Sequence, residues 1–154
     1  MNRILSSVAL AFICLFPVYG QMAWNAKYQN YFNQYKDLAI EQMLKYRIPA
    51  SITLAQGVFE SGAGYSDLAR NGNNHFGIKC HGWQGRKTYH DDDARNECFR
   101  AYDSPGQSYE DHSKFLVQSQ RYRRLFSLKI TDYKGWAHGL KACGYATNPA
   151  YAKK

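Results

Sequence analysis

The strongest constraint on the fold is a glycine-rich middle segment that separates two regions of helical periodicity. Apolar and aromatic residues recur at helical spacing from Tyr28 to Tyr46, and Pro49 can open a second helix that runs to about Ser61. Gly62 is placed to end that helix in a left-handed turn. Between residues 71 and 106, glycines and short alternating stretches instead predict loops and a hairpin.

Helical signals return after this segment. Ser108 resembles an N-cap, which predicts a helix over residues 108–119. Thr131 or Asp132 can cap a further helix that ends at Gly144, and the Asn148–Pro149 pair predicts a last short helix. The sequence therefore predicts one α+β domain that is mainly helical and carries one small β-lobe.

Residues 1–20 resemble a secretory signal peptide. Arg3 gives a basic start, the stretch from Ile4 to Val18 is almost wholly apolar, and Gly20 offers a small residue for cleavage. A bilayer span needs about 20 apolar residues, so this run is somewhat short for an anchor. We predict cleavage, no membrane attachment afterwards, and one secreted or periplasmic domain over residues 21–154.

The net charge narrows the choice of partner. A formal charge of +8 and thirteen tyrosines suit an anionic polymer, either nucleic acid or cell-wall glycan. Export favours the cell wall over nucleic acid. We therefore expect a monomer that associates with the wall and binds no nucleic acid.

Three cysteines follow the signal segment. In an oxidising compartment Cys80 and Cys98 could form a disulfide. By loop-closure entropy such a bridge would stabilise the folded state by about 3 kcal/mol. Cys143 would then be the odd thiol, at a helix end. A zinc site is the competing interpretation, but no pair shows the usual ligand spacing, so neither a metal nor an organic cofactor is expected.

Glu60 is the main candidate for chemistry. A helical wheel places the apolar residues of this helix on one side, namely Ile52, Leu54, Ala55, Val58 and Phe59. Glu60 falls on the opposite side, which it shares with Thr53, Gln56, Gly57 and Ser61. A solvated surface glutamate is the plain alternative. Glycines at positions 57, 62 and 64 favour a functional role, because small residues would let a ligand lie close to the backbone beside the carboxyl group.

Four segments in order resemble one known family. They are LAQGVFESGAG (54–64), NNHFGIK (73–79), FRAY (99–102) and GYATNPAY (144–151). This pattern is similar to that of the family 73 glycoside hydrolases, which are endo-β-N-acetylglucosaminidases that include the wall-cutting domain of the flagellar rod protein. The resemblance implies a lysozyme-like fold, a cleft between a helical lobe and a β-lobe, and hydrolysis of the β-1,4 bond between N-acetylglucosamine and N-acetylmuramic acid in peptidoglycan.

The resemblance also assigns roles to acids. Glu60 matches the general acid, which must stay neutral near pH 7 in an apolar setting that Phe59 and Phe76 could provide. Glu97 matches the position where relatives carry a second acid. The aspartates at positions 91–93 are rivals, although such a run is more often a solvated turn. Glycosidases place the second carboxyl group about 5–5.5 Å away as a nucleophile, or about 6.5–9.5 Å away as a base.

A mechanism without a protein nucleophile also fits, in which the acetamido oxygen of the substrate attacks the anomeric carbon. Tyr145 would then orient that acetamido group or stabilise the cationic sugar. The residues predicted to bind substrate are Gln56, Asn74, Phe76, Trp83, Tyr102 and Tyr151.

Three rival functions remain. A muramidase would cut the other β-1,4 bond, and a lytic transglycosylase would leave an anhydro sugar. A wall-binding module would keep the fold without the chemistry, but such a module has no need of Glu60 and its flanking glycines.

Overall fold

The computed structural model describes residues 25–146 and 151–153. The α-helices are α1 (Ala26–Tyr46), α2 (Ala50–Glu60), α3 (Asp67–Gly72), α4 (Pro105–Gln118) and α5 (Tyr133–Ala142). Short 3₁₀ helices span Gln120–Ser127 and Tyr151–Lys153, and the strands are β1 (Lys87–His90) and β2 (Glu97–Arg100). The signal peptide and the Asn148–Pro149 cap lie outside the described residues. Within residues 25–146 and 151–153, no helix has both the length and the apolar character needed to cross a membrane.

Helix α2 lies at the centre of the helical lobe, where it packs against α1 and α5. The main core joins its first turn to the C-terminal half of the chain, through Ile48, Ile52, Leu116, Tyr122, Leu125, Trp136 and Leu140. A second core lies under the β-lobe and contains Ala39, Phe76, Ile78 and Tyr109. The two cores hold α2 on more than one side, and its last two residues, Phe59 and Glu60, are exposed.

This enclosure corrects the helical-wheel prediction for α2. Thr53, Gln56 and Gly57 are buried although the wheel placed them on the outer face, while Phe59 is 37% exposed. The wheel assumes that a helix has one buried face. Because α1 and α5 cover different sides of α2, polar side chains are enclosed as well as apolar ones.

The glycines around Glu60 serve packing. Tyr31 is buried beneath α2, and a Cβ on Gly57 would overlap its hydroxyl group and lie 3.1 Å from its Cζ. A Cβ on Gly64 would lie 3.4 Å from the same ring. The expectation that these two positions admit a ligand is therefore wrong, because the tyrosine already fills the space. Gly62 does adopt the left-handed backbone predicted for it, with φ 56°.

Replacing Gly57 with alanine is expected to lower the free energy of unfolding by about 1–3 kcal/mol, as overpacking of a core does. The new methyl group must displace Tyr31, whose hydroxyl group binds His75 Nδ1 and accepts a hydrogen bond from Tyr109, both at 3.0 Å. Urea unfolding would measure the loss. Gly106→Ala is the matched control, because its Cβ would meet Leu38 at an ordinary 3.6 Å. Equal stability of the two variants would contradict this account.

Helix α4 begins earlier than the sequence predicted. Ser104 is the N-cap and accepts the Gln107 N–H at 3.4 Å, and Pro105 occupies the first turn, where it loses no hydrogen bond. Ser108 is instead buried inside the helix and accepts the His75 N–H at 3.1 Å. Helix α3 was not predicted, although its N-cap Ser66, which accepts the Ala69 N–H, is an ordinary signal.

The β-lobe is a two-stranded antiparallel hairpin that pairs Lys87 with Arg100 and His90 with Glu97. The predicted Cys80–Cys98 disulfide is confirmed, with the two Cα atoms 5.5 Å apart. The Cys80 N–H also donates to the Cys98 carbonyl at 2.9 Å, which fixes the segment before Cys80 against β2. Cys143 is a free thiol at the end of α5, as predicted.

Candidate active site

A cleft of about 330 Å³ opens between the helical lobe and the hairpin. Glu60 reaches it from the end of α2, and Tyr145 reaches it from the turn after α5. The hairpin side is formed by Lys79, His81, Asp92 and Asp93, and the remaining lining residues are Phe76, Gly77, Ile78, Phe115, Arg121, Tyr122 and Gly144.

Glu60 combines access to the cleft with a desolvated setting. Its side chain is exposed on the cleft side, as an acid that meets a substrate must be. Burial among the cleft walls raises the pKa of its carboxyl group, and the negative charge of Asp92 raises that pKa further. Both effects favour the protonated form, which can donate a proton.

Tyr145 lies close enough to Glu60 for their charges to interact. Its backbone follows Gly144, which has φ 74°, and its N–H donates to the Leu140 carbonyl at 3.0 Å. Burial raises the pKa of the Tyr145 hydroxyl group well above its usual value, and the charge of Glu60 adds to the shift. The hydroxyl group therefore stays protonated and can act as a hydrogen-bond donor.

The floor of the cleft is Phe76, supported from inside by Asn74. The Asn74 carboxamide donates to the carbonyls of Ile78 and Arg100 at 3.0 and 2.8 Å, and its Oδ1 accepts the Phe76 and Ile78 N–H groups. Phe76 stacks on buried His112 with ring centroids 3.9 Å apart. Asn74 is only 1% exposed, so it holds the floor in place and does not face the cleft.

Lys79 gathers the acids of the β-lobe. Its Nζ lies 2.8 Å from Asp93, 2.9 Å from Glu97 and 3.6 Å from Asp92. Asp92 and Asp93 line the cleft, whereas Glu97 lies behind them and one of its oxygens is buried. In the described part of the chain, these three acids form the one group spaced for a cation, with ligand atoms within 4.8 Å of one another. The Lys79 ammonium group already supplies a positive charge there.

The structure separates the other predicted residues from the cleft. Gln56 is buried and donates to the Tyr151 hydroxyl group at 3.1 Å, and both line a different, mostly apolar pocket with Phe59. The prediction that Phe59 shields Glu60 is therefore wrong, because Phe59 lines this other pocket. Trp83 and Tyr102 line a third pocket. These aromatic residues were predicted to face the cleft because the sequence shows that a residue is aromatic but does not show which surface its ring faces.

Several cleft residues were missed by the sequence reasoning, namely Lys79, His81, Phe115, Arg121 and Tyr122. Lys79 is part of the recognised segment 73–79, which was a signal that it lies near the site. Arg121 belongs to a basic run in the first 3₁₀ helix, which was assigned no role. Its guanidinium group adds positive charge at the rim of the cleft.

An accessible acid with a raised pKa, at a helix end facing a hairpin across a cleft, defines the lysozyme-like class of α+β proteins. A family model described as mannosyl-glycoprotein endo-beta-N-acetylglucosaminidase matches residues 36–154. The chain belongs to this glucosaminidase family, which confirms the predicted family and fold class.

Individual proteins agree with this assignment. Exo-glucosaminidase LytG of Bacillus subtilis is 34% identical over 71% of this chain and 43% of its own length. Peptidoglycan hydrolase FlgJ of Vibrio parahaemolyticus is 30% identical over 82% of this chain and 44% of its own length. The crystal structure of a peptidoglycan hydrolase from Sphingomonas sp. A1 superposes with TM-score 0.70 at 30% identity, over 81% of this chain and 83% of that one. The chain thus spans less than half the length of these two curated relatives.

Proposed function

We propose that this chain is a peptidoglycan hydrolase that cleaves the β-1,4 bond between N-acetylglucosamine and N-acetylmuramic acid. The observation that carries the proposal is the raised pKa of Glu60 in an open cleft, in a chain of the glucosaminidase family. The names of LytG and FlgJ, an exo-glucosaminidase and a peptidoglycan hydrolase, support the same substrate class.

The cleft residues suggest how the bond breaks. Protonated Glu60 donates its proton to the glycosidic oxygen as the bond to the anomeric carbon breaks, and a water molecule then bonds to that carbon and returns a proton to the Glu60 carboxylate. The Tyr145 hydroxyl group, held protonated, donates a hydrogen bond to the acetamido group of the sugar. The carboxyl groups of Asp92 and Asp93, which line the cleft from the hairpin side, stabilise the positive charge that develops on the sugar ring.

Product analysis tests the bond and the reaction type. Purified peptidoglycan is digested, reduced with borohydride and examined by mass spectrometry. We expect strands that end in reduced N-acetylglucosamine. Reduced N-acetylmuramic acid would identify a muramidase, an anhydro sugar would identify a lytic transglycosylase, and an undigested wall that still binds the protein would identify a binding module. Each of these three results would overturn the proposal.

We further propose Asp92 as the second acid in place of Glu97, because Asp92 faces the cleft and acts on the charge of Glu60. Asp92→Asn is expected to lower kcat by about 100-fold or more. It should also lower the pKa of Glu60, since a negative charge that raises that pKa is removed, so the basic limb of the pH–rate profile moves to lower pH.

Glu97→Gln is the matched control for Asp92→Asn, because both variants remove one carboxylate from the group around Lys79. It should leave the basic limb in place. A loss of activity in Glu97→Gln with a nearly normal Asp92→Asn would return the role to Glu97.

Export is also part of the proposal. The Cys80–Cys98 disulfide suits an oxidising compartment, and residues 1–20 have the pattern of a signal peptide. N-terminal sequencing of the protein from the medium or periplasm should begin at Gln21. Retention of residues 1–20 on the membrane would contradict cleavage.

A further inference from the structure

The third pocket, which contains Trp83 and Tyr102, lies beside Arg100. It encloses about 210 Å³ and is lined by Trp83, Tyr102, Gln107, Glu110, Asp111 and Lys114. Arg100 links residues of the two spaces, because its Nε donates to the carbonyl of Lys79, a cleft residue, at 3.2 Å and its Nη1 donates to Asp111, a pocket residue, at 2.8 Å. We name this space the Trp83 pocket.

The indole ring of Trp83 is fixed and partly exposed. Its Nε1 donates to the Arg86 carbonyl at 2.9 Å, and the Arg100 guanidinium carbon lies 5.0 Å from the ring centroid. The turn reaches the ring so closely at Gly85 that a Cβ there would lie 2.6 Å from the indole. Because the ring is already held, a ligand that packs on it orders little additional side chain. The C–H face of a pyranose ring is a ligand of this kind.

The acids of the Trp83 pocket already accept hydrogen bonds from other side chains, whereas two of its other residues have N–H groups that a ligand could bind. Glu110 is engaged by Lys45 and Tyr46, and Asp111 is engaged by Arg100 and Tyr102. Gln107 differs, since its Oε1 accepts the Asp103 N–H at 2.9 Å and its Nε2 binds no acceptor among the described residues.

Lys114 is the second donor at the rim of the pocket. It is half-exposed and lies 3.3 Å from Glu110. An amide N–H and an ammonium group beside an aromatic ring suit a ligand rich in hydroxyl and acetamido carbonyl oxygens. An N-acetylated amino sugar has this chemistry.

The Trp83 pocket continues the cleft along α4. Phe115 lines the cleft, and Lys114 and Gln107 on the same helix line the pocket. Gln107 and Phe115 are about 12 Å apart along the helix axis. The loop after Cys80 repeats this order, with His81 in the cleft and Trp83 in the pocket. One extended glycan strand can therefore follow α4 from Glu60 to Trp83.

We propose that the Trp83 pocket is a distal site for an N-acetylated amino sugar of the same strand that is cleaved beside Glu60. The inference rests on the proposed function. It gives the enzyme a preference for long strands, because a strand that reaches Trp83 is held at two places.

Binding of glycans of two lengths tests this proposal. In the inactive Glu60→Gln protein, calorimetry compares peptide-free peptidoglycan oligosaccharides of two and six sugars. The longer oligosaccharide should bind at least about tenfold more tightly than the shorter one. Adding Trp83→Ala should remove most of this length-dependent gain, and Trp83→Phe, which keeps an aromatic face, should retain part of it.

Two further variants keep the test decisive if Trp83→Ala fails to fold. Gln107→Ala changes an exposed side chain of the pocket and should weaken binding of the longer oligosaccharide by several-fold. Gln118→Ala, exposed at the end of the same helix and outside the pocket, is its matched control. If Gln107→Ala and the folded Trp83 variants leave the length-dependent gain intact, the distal site is wrong. If the Glu60→Gln protein binds neither oligosaccharide, the proposed function itself fails.

Discussion

Glu60→Gln is expected to lower kcat on purified peptidoglycan by about two to four orders of magnitude, the range associated with loss of a general acid. Glutamine keeps the size and polarity of the side chain but has no carboxylic proton to give. Zymograms that contain purified wall, and the rate of turbidity loss of a wall suspension, would measure the change.

The matched control makes the same substitution at Glu41, which is exposed on α1 away from the cleft. Glu41→Gln should keep full activity. Sedimentation with the wall should persist in Glu60→Gln, since binding does not require the proton. Clearing of the wall by Glu60→Gln at a normal rate would show that another group is the acid.

Acidification from pH 7 to pH 5 is expected to lower the free energy of unfolding by about 4 kcal/mol through two histidines. Burial lowers the pKa of His75 to about 4 and that of His112 to about 3. Unfolded histidine takes up its proton near pH 6.5, so between that pH and the folded-state pKa the unfolded chain binds more protons. The contribution of each histidine to the free energy of unfolding is therefore complete above pH 6.5. Below that pH it falls by about 1.4 kcal/mol per pH unit for each imidazole, until the folded-state pKa is reached.

Urea unfolding at pH 7, 6 and 5 would measure this dependence. His112→Phe should roughly halve the slope, because it removes one buried imidazole and preserves the ring that stacks on Phe76. His138→Gln, at an exposed position of α5, should leave the slope unchanged. A His112→Phe protein with the slope of the unaltered chain would refute the assignment.

Much of the site was predictable because its signals are local in sequence. Glu60 ends a helix that Pro49 and Gly62 delimit, and the glycine-rich segment predicted the hairpin. The Cys80–Cys98 bridge followed from compartment and spacing alone. Phe76 and Tyr145 also line the cleft with Glu60, as the family resemblance implied.

The remainder depended on contacts between distant segments. Gln56 looked exposed on a wheel because the sequence does not show that α5 and Tyr151 cover it. The choice between Asp92 and Glu97 depends on how Lys79, which comes before β1, reaches the hairpin acids. Trp83 is similar, since Arg100 on β2, a distant residue in sequence, packs against its ring.

Glu60 is the last residue of α2, and this position has an electrostatic consequence. The peptide dipoles of a helix add up to about half a negative elementary charge at its C-terminal end, where backbone carbonyls lack intrahelical partners. A carboxylate there faces charge of its own sign, so the helix itself opposes ionisation. The same glutamate in the first turn of α2 would meet the positive end of the dipole and would lose its proton more readily.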